Sequence, residues 1–338
     1  MAGKPRATMR DVAALAGVSL KTVSRVVNDE PAVSDDVRAR VRRAVDRLDY
    51  THNLAASNLR RKVVRTRVIA ALLQDLANSF SSSLLRSLED AARDRQTAIL
   101  AASLDEDPER ELALVADLVG RRVDGLVIMP ASSRQDYLDV ELRSGLPTVF
   151  VDRRPRGVDA DSVTVDNLAG GRDAAAHLLR RGHRDIAVLG DLLSIQTAAL
   201  RLDGVRTELA DAGVEHRPDL VATDLRTSEA AEEALLRMLA LPEPPTAVIA
   251  LRNILSVGSL RALRATGLAD RVALVGFDDF PMADLLGLSV IRQNVGVIGA
   301  TAAKILFERL DGDDSPPQHA VIAHQLIERG SGEITPPE

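Results

Sequence analysis

The sequence contains no cysteine and no tryptophan, and it has only two tyrosines and five phenylalanines among its 338 residues. The absence of cysteine excludes disulfide bonds, thiolate metal sites and a cysteine nucleophile. The scarcity of aromatic residues limits stacking platforms for bases or sugar rings. No apolar run approaches the roughly 18 residues that a membrane-spanning helix needs, and residues 1–10 lack the apolar stretch of a signal peptide. These absences predict a cytoplasmic protein without a redox role.

Positive charge is concentrated at the N-terminal end of the chain. The formal net charge of the whole sequence is −6, which by itself argues against a nucleic-acid partner. Residues 1–65, however, contain 14 Lys and Arg against 7 Asp and Glu, a local net charge of +7, so the other residues carry −13. A basic segment ahead of an acidic body favours binding to nucleic acid or an anionic membrane. A solvated, arginine-rich surface is the alternative.

The order of residues in the basic segment predicts three short helices. Thr8 opens a capping box, and the one-sided apolar stripe that follows it ends at Gly17. Ser19 is suited to the N-cap of a second helix, and Ser34 to that of a third, whose apolar residues follow the spacing of one buried face. Two short helices joined by a tight turn and backed by a third are typical of a helix-turn-helix, whose second helix enters the major groove. A purely structural three-helix bundle is the alternative.

Residues 13–28, with the sequence AALAGVSLKTVSRVVN, strongly resemble the DNA-binding head of the lactose-repressor (LacI) family of bacterial transcription regulators. The resemblance implies that Leu20, Lys21 and Arg25 read bases. Arg25 is suited to a bidentate contact with guanine, whereas Leu20 could instead cover the turn. Polar residues around them would hold phosphates and so position the helix. The DNA contacts predicted in this head are Thr8, Ser19, Leu20, Lys21, Thr22, Ser24, Arg25 and Asn28.

The resemblance also implies a hinge over residues 53–65. In the family this segment becomes helical on operator DNA and pushes a leucine into the minor groove, which kinks the duplex. Leu59 matches that leucine, and Ala56 matches the small residue that lets two hinges approach. Asn53, Ala56 and Leu59 are therefore further predicted DNA contacts. His52 and Ser57 replace the usual proline and arginine, so one contact with DNA could be missing.

From residue 66 onward, short apolar runs alternate with helical stretches. This pattern is typical of parallel β-sheets covered on both faces by helices. The predicted fold is an all-α helix-turn-helix head followed by an α/β core of two parallel-sheet lobes, as in periplasmic binding proteins. We expect the head at residues 1–52 and the core at 66–338, with one lobe at about 66–160 and 294–320 and the other at about 161–293 and 321–338.

The family binds a small effector between its two lobes, and ligands of such sheets lie beyond the carboxyl ends of the strands. Carboxylates together with an arginine suit a ligand rich in hydroxyl groups. The predicted effector contacts are Gln74, Asp75, Phe80, Ser81, Asp152, Arg201, Leu225, Arg252, Asn253 and Asp278.

Two departures from the family pattern concern the effector. Arg252-Asn253 stands where the family commonly has Asn-Asp, and Leu225 stands where sugar-binding members often place an aromatic ring. These changes favour a smaller or more polar ligand, such as a sugar acid or sugar phosphate, whose anion would pair with Arg201 and Arg252. The alternative is that Arg252 bridges to Asp75 or Asp278 and that the cleft has no anionic ligand.

Signatures of catalysis are missing from the sequence. There is no phosphate-binding G-x-x-x-x-G-K-[ST] loop, no H-E-x-x-H pair and no G-x-S-x-G elbow. The six histidines form no recognisable metal spacing, and a structural role is expected for His177 and His183. No catalytic residue, metal site or cofactor is therefore predicted.

Taken together, these features predict an allosteric repressor that binds a partly palindromic operator in double-stranded DNA as a homodimer, without a membrane partner. Its effector is a sugar, sugar acid or sugar phosphate of unknown identity. The dimer face is expected on helices near residues 82–95 and 300–310, through Leu84, Leu88, Ile298, Ala302 and Ile305. The alternatives are the solute-binding protein of a transporter, an enzyme on the same scaffold, and an orphan regulator without an effector.

Overall fold

The computed structural model describes residues 7–27, 33–48, 50, 65–215 and 217–337. The chain divides into two compact units, Met1–Thr66 and Arg67–Glu338. No helix in the described part of the chain is long and apolar enough to cross a membrane.

The described part of the first unit contains three helices, α1 (Met9–Ala16), α2 (Leu20–Val27) and α3 (Asp35–Arg47). At the start of α1 the Thr8 hydroxyl accepts a hydrogen bond from the Asp11 amide, and the Asp11 carboxylate accepts one from the Thr8 amide. Hydrogen bonds from Thr8 lower the pKa of Asp11. Apolar residues of all three helices form one small core, with Val12, Val23 and Val41 completely buried. The predicted capping box and the three-helix arrangement are confirmed.

The turn between α1 and α2 is fixed by a glycine and an arginine. Gly17 has φ +63°, a conformation that residues with a Cβ rarely adopt. The Arg40 guanidinium on α3 donates hydrogen bonds to the carbonyl oxygens of Ala16, at 2.6 Å, and Gly17, at 3.1 Å. These contacts fasten the turn to α3 and so fix where α2 begins.

The second unit opens with a six-stranded lobe, which we call the first lobe. Its first elements are β1 (Val68–Leu73), α4 (Ser79–Asp94), β2 (Ala98–Ser103), α5 (Pro108–Gly120), β3 (Gly125–Ile128), α6 (Asp139–Arg143), β4 (Thr148–Val151) and β5 (Asp161–Val165). The chain returns to this lobe with α11 (Val295–Leu310) and β11 (His319–Ile322). All strands of this sheet are parallel, in the order β11-β5-β4-β3-β1-β2.

The second lobe is built from the chain between these two parts. Its elements are α7 (Asn167–Arg180), β6 (Ile186–Leu189), α8 (Gln196–Asp211), β7 (Val221–Ala222), α9 (Ser228–Leu239), β8 (Ala247–Ala250), α10 (Asn253–Ala265), β9 (Ala273–Phe277), β10 (Ser289–Gln293) and β12 (His324–Ile327). The strand order is β12-β10-β9-β8-β6-β7. Only the edge strand β12 runs antiparallel to its neighbour among the described strands. The predicted fold class is confirmed, with this one antiparallel edge added.

The expected boundary between the lobes near residue 160 differs from the structure. Residues 161–165 were assigned to the second lobe, but β5 pairs with β4 and β11 in the first sheet. The later boundary near residue 320 falls within β11, which also belongs to the first sheet. The apolar run that forms β5 is recognisable from the sequence, but its pattern does not specify which sheet supplies its partner.

The helices expected to form a dimer face pack one side against the first sheet. The helix predicted near 82–95 is α4, and the one near 300–310 is the second part of α11. The side chains assigned to the dimer face are all buried in the core of the first lobe, namely Leu84, Leu88, Ile298, Ala302 and Ile305. The assignment of these five side chains was wrong, because apolar periodicity marks a buried face without showing whether the same chain or another covers it. A dimer face on the two helices stays a prediction.

The C-terminal segment packs against the second lobe. Arg329 forms a bidentate ion pair with Asp279, with distances of 2.8 and 2.7 Å. The buried His177 lies with Nε2 at 2.7 Å from Glu333 Oε1, and His183 Nε2 lies 2.8 Å from the Ile334 carbonyl oxygen. Burial lowers the pKa of His183. Both histidines therefore hold this segment in place.

We expect Arg329→Met to lower the free energy of unfolding by about 1.5–3 kcal/mol at pH 7, because it removes two hydrogen bonds to a carboxylate. The hydrogen bonds from Arg329 lower the pKa of Asp279 in the folded protein. A carboxylate with a lowered pKa stabilises the fold above its unfolded pKa of about 3.9, and this contribution disappears as the pH falls through the folded value.

Denaturant unfolding of parent and variant between pH 7 and pH 3.5 measures this effect. The difference between the two proteins should shrink below about pH 4. Arg261→Met is the matched control, because Arg261 forms an exposed ion pair with Glu229. A loss that stays constant with pH would mean that Arg329 stabilises through the packing of its stem alone.

Candidate functional site

Helix α2 has one buried side and one exposed side. Val23 and Val26 are buried in the core of the first unit, whereas Leu20 and Lys21 are exposed to solvent. Arg25 is half-buried, one turn further along the helix. A cationic, partly exposed face on the second helix of a helix-turn-helix is the surface that enters the major groove in such domains.

The predicted DNA contacts Thr8 and Ser19 serve as helix caps. The Ser19 hydroxyl accepts a hydrogen bond from the Thr22 amide at 3.1 Å and lies 2.9 Å from the Thr22 hydroxyl. Ser24 is half-buried on α2. The other predicted contacts lie outside the described residues, namely Asn28, Asn53, Ala56 and Leu59.

A polar cleft lies between the two lobes of the second unit and encloses about 480 Å³, part of it open to solvent. Gln74 follows β1, Asp152 follows β4 and Asp278 follows β9, so the cleft is built at the carboxyl ends of strands. The structure brings together seven of the ten predicted effector contacts along this cleft, namely Gln74, Phe80, Asp152, Arg201, Arg252, Asn253 and Asp278.

Asp75, Ser81 and Leu225 are not among the residues that line the cleft in the described part of the chain. The Asp75 carboxylate accepts a hydrogen bond from the Ala77 amide at 2.9 Å. Ser81 is 1% exposed on the core side of α4, and Leu225 packs into the core of the second lobe. Helix phase turns Ser81 away from the cleft, although its neighbour Phe80 lines it.

Sequence reasoning missed several lining residues, notably Asn78, Glu106, Arg153, Asp191 and Gln293. Asp191 comes shortly after the apolar run that forms β6, so its position beyond the end of such a run was an available signal. Gln293 is the last residue of β10, so it too lies at the carboxyl end of a strand.

Arg201, on α8, is the most extensively held side chain of the cleft. Its Nε donates to Asn167 Oδ1 at 2.8 Å, and its Nη1 donates to the Leu251 carbonyl at 2.9 Å and to Asp278 Oδ2 at 3.3 Å. The guanidinium carbon lies 3.8 Å from the centroid of the Phe277 ring, a distance at which cation–π attraction is favourable. These contacts fix one planar donor group on the second-lobe side of the cleft.

Two cleft aspartates have left-handed backbone conformations. Asp152 has φ +67° and Asp278 has φ +69°, values uncommon for residues other than glycine. Asp278 Oδ1 accepts a hydrogen bond from Gln293 Nε2 at 2.5 Å. Burial raises the pKa of Asp152 because desolvation disfavours its charged form. Strained backbone of this kind is typical of binding and catalytic sites.

Arg252 forms an ion pair within the cleft. Its Nη1 lies 2.5 Å from Asp191 Oδ2, and both side chains are largely buried. The alternative expected from the sequence was a bridge to Asp75 or Asp278. The observed partner is Asp191 instead. Asp191 follows β6 and Arg252 follows β8, and these two strands are neighbours in the second sheet, so their ends lie side by side.

The two lobes contact each other directly across the cleft. The Asn253 side-chain amide donates to Asn78 Oδ1 at 3.2 Å, and the Asn78 amide donates to Asn253 Oδ1 at the same distance. Asn78 is the N-cap of α4, and Asn253 begins α10. This reciprocal amide pair joins the two helix N-termini and holds the lobes together at one point.

Comparison with known proteins agrees with this architecture. Residues 8–53 match the family model described as bacterial regulatory proteins, lacI family, and residues 175–332 match a periplasmic binding protein-like domain. The chain is 32% identical to the HTH-type transcriptional regulator PtxS of Pseudomonas aeruginosa, over 96% of each chain. It is 31% identical to the ribose operon repressor of Escherichia coli, over 96% of this chain and 99% of that protein.

A solved structure of the Lac repressor dimer, bound to operator and the anti-inducer ONPF, superimposes with a TM-score of 0.86. It is 26% identical in sequence, and the match covers 97% of this chain and 99% of that chain. These relatives are regulators rather than enzymes, and the helix-turn-helix favours a regulator over a solute-binding protein. The chain therefore belongs to the LacI family of bacterial regulatory proteins and is a DNA-binding transcriptional regulator.

Proposed function

We propose that this regulator represses transcription in the cytoplasm by binding a partly palindromic operator as a homodimer. A small polar effector bound between the lobes controls that binding. The observation that carries the proposal is the two-sided character of α2, with Val23 and Val26 in the core and Leu20 and Lys21 exposed. The Lac repressor, of similar fold, is a dimer bound to operator, and the ribose operon repressor is named for the same activity.

In the proposed complex, α2 lies in the major groove and Arg25 contacts a guanine through two hydrogen bonds. Lys21 adds a positive charge near the bases, and Leu20 packs against a thymine methyl group. Thr8, Ser19, Thr22 and Ser24 contact phosphates and fix the position of the helix without reading sequence. The hinge, with Asn53, Ala56 and Leu59, would follow in the minor groove, and Asn28 would hold a phosphate at the end of α2.

The cleft supports a ligand rich in hydroxyl groups. The Asp152 carboxylate can accept hydrogen bonds there, the Gln74 amide can accept and donate them, and the fixed guanidinium of Arg201 can donate. Phe80 supplies an apolar surface to the same cleft. Among similar structures, the regulator CelR is in complex with cellobiose. An effector acts on DNA binding only through its different affinities for the two lobe arrangements, so its effect depends on contacts with both lobes.

The ion pairs of the cleft arginines argue against the sugar acid or sugar phosphate that the sequence favoured as effector. Arg201 and Arg252, the residues expected to pair with an anion, are each already bound to a carboxylate, Asp278 and Asp191 respectively. An anionic ligand would have to replace one of these carboxylates and leave it unpaired in a buried site. We therefore favour an effector without negative charge.

Titrating the full chain against DNA selected from a random pool tests this function. Arg25→Ala should weaken binding to the selected sequence by about 5- to 150-fold, corresponding to about 1–3 kcal/mol, and should relax the preference at one base pair. Lys21→Ala should also weaken binding to the selected sequence, because it removes the positive charge that Lys21 places near the bases.

Arg121→Ala is the matched control. Arg121 is an exposed arginine of the second unit, where it forms an ion pair with Asp117. It should change neither affinity nor salt dependence. Failure of the parent chain to prefer any selected sequence over random DNA would reject the proposed function.

A further inference from the structure

The cleft contains more negative than positive groups. Four carboxylates line it, those of Glu106, Asp152, Asp191 and Asp278. Three guanidinium groups face them, those of Arg153, Arg201 and Arg252. Since an arginine remains charged at any physiological pH, one carboxylate is left without a cation of its own.

Each guanidinium is already committed to a carboxylate. The pairs are Arg153–Glu106, Arg201–Asp278 and Arg252–Asp191, with shortest nitrogen–oxygen distances of 2.5, 3.3 and 2.5 Å. Arg153 binds its partner through both terminal nitrogens and also donates to the Pro130 carbonyl at 2.7 Å. The uncompensated carboxylate is therefore that of Asp152.

Asp152 is only 8% exposed, yet no group in the described part of the chain donates a hydrogen bond to its carboxylate. The nearest cation is Arg153 Nε at 3.4 Å, which is too poorly oriented for a hydrogen bond. The Asp152 oxygens are not among the solvent-inaccessible atoms without a partner, so a molecule in the cleft can reach them. A donor supplied by such a molecule would satisfy this carboxylate.

The chemistry missing from this site is positive charge together with hydrogen-bond donors. A neutral polyol supplies donors but leaves the charge of Asp152 uncompensated. An anion would add repulsion at a buried site, where electrostatic interactions are strong. A primary ammonium supplies a unit charge and three donors in one group.

We propose that the effector is a small hydroxylated primary amine of the amino-sugar class, whose ammonium group binds the Asp152 carboxylate. This inference rests on the proposed function, since it names the ligand of the regulatory cleft.

The test compares matched hexoses by calorimetry on the full chain at pH 7. The probes are glucosamine, galactosamine and mannosamine, their neutral parents glucose, galactose and mannose, and the acid gluconate. We expect at least one amine to bind at least 10-fold more tightly than its neutral parent, and gluconate to bind no more tightly than glucose. A neutral parent or gluconate binding as tightly as the amines would overturn the proposal, as would the absence of binding by all three amines at millimolar concentration.

Asp152→Asn tests the residue itself. It should weaken binding of the amine at least 10-fold more than it weakens binding of the neutral parent, because only the amine loses a charged partner as well as a hydrogen-bond acceptor. Asp117→Asn, in an exposed ion pair with Arg121, should alter neither. An equal loss for amine and neutral sugar in Asp152→Asn would mean that Asp152 only shapes the cleft, and would reject its role as the ammonium site.

Binding to selected DNA, measured on the same protein preparation, separates this proposal from the proposed function. Intact specific DNA binding together with preference for a neutral or acidic sugar rejects the amine alone. Absence of specific DNA binding rejects the repressor function, whatever the cleft binds.

Discussion

Replacing Arg201 by leucine is expected to lower the free energy of unfolding of the second unit by about 3–5 kcal/mol, the cost of removing one partner of a buried ion pair. Asp278, 7% exposed, would lose the cation paired with it and keep the hydrogen bond from Gln293. The oxygen atoms of Asn167 and Leu251 would each lose a donor. The variant should also fail to respond to any effector, since the cleft would lose its fixed donor group.

A double variant distinguishes unpaired charge from lost packing. Combining Arg201→Leu with Asp278→Asn removes the buried charge and keeps an oxygen for Gln293. We expect it to recover at least about 1 kcal/mol of the loss. Arg261→Leu, an exposed control, should stay within about 0.5 kcal/mol of the parent. If the double variant is no more stable than the single one in denaturant unfolding, the charge of Asp278 has no part in the effect.

The second large effect is expected from Gly171→Ala, because α7 and α8 approach each other too closely there for a side chain. A Cβ at Gly171 would overlap the carbonyl oxygen of Arg201 on α8. Reciprocally, a Cβ at Gly204 of α8 would overlap the carbonyl oxygen of Leu168 on α7. Since these atoms belong to helix backbones, the two helices would have to separate. We expect a loss of about 3 kcal/mol or more in the free energy of unfolding.

This substitution should also disturb the cleft, because α8 carries Arg201. Displacement of the helix would weaken the Arg201–Asp278 pair, so the effects of Gly171→Ala and Arg201→Leu should not add. Gly120→Ala is the control, since a Cβ at Gly120 would have no described atom within 4 Å and the φ of this residue is not positive. It should leave stability unchanged or raise it by up to about 1 kcal/mol. Additive effects at Gly171 and Arg201 would contradict a positioning role for the close helix contact.

The effector contacts show which parts of the cleft could be predicted from the sequence. Asp152, Arg201 and Asp278 were placed in the cleft because they follow predicted strands or match the family pattern, and the structure brings them together. Ser81 was expected beside Phe80 but faces the core, since consecutive residues of a helix point in different directions. Gln293, at the end of β10, was not among the predicted contacts.

The role of Arg252 could not be decided from the sequence. Its charge indicated either an anionic ligand or an internal partner, and the sequence did not specify which carboxylate would be near. Asp191 lies 61 positions away in the chain. Only the pairing of β6 with β8 brings the two ends together. That contact changed our inference about the ligand from an anion to a neutral or cationic molecule.

What the sequence by itself determined is local in character. Helix caps such as Thr8, the turn at Gly17 and the basic character of residues 1–65 depend on neighbouring residues, so they and the helix-turn-helix could be predicted without the fold. The tertiary structure alone decided that β5 and β11 belong to the first sheet, that the apolar sides of α4 and α11 lie in the core of the first lobe, and that three arginines of the cleft are already paired. These features depend on contacts between distant parts of the chain, and no local pattern specifies such contacts.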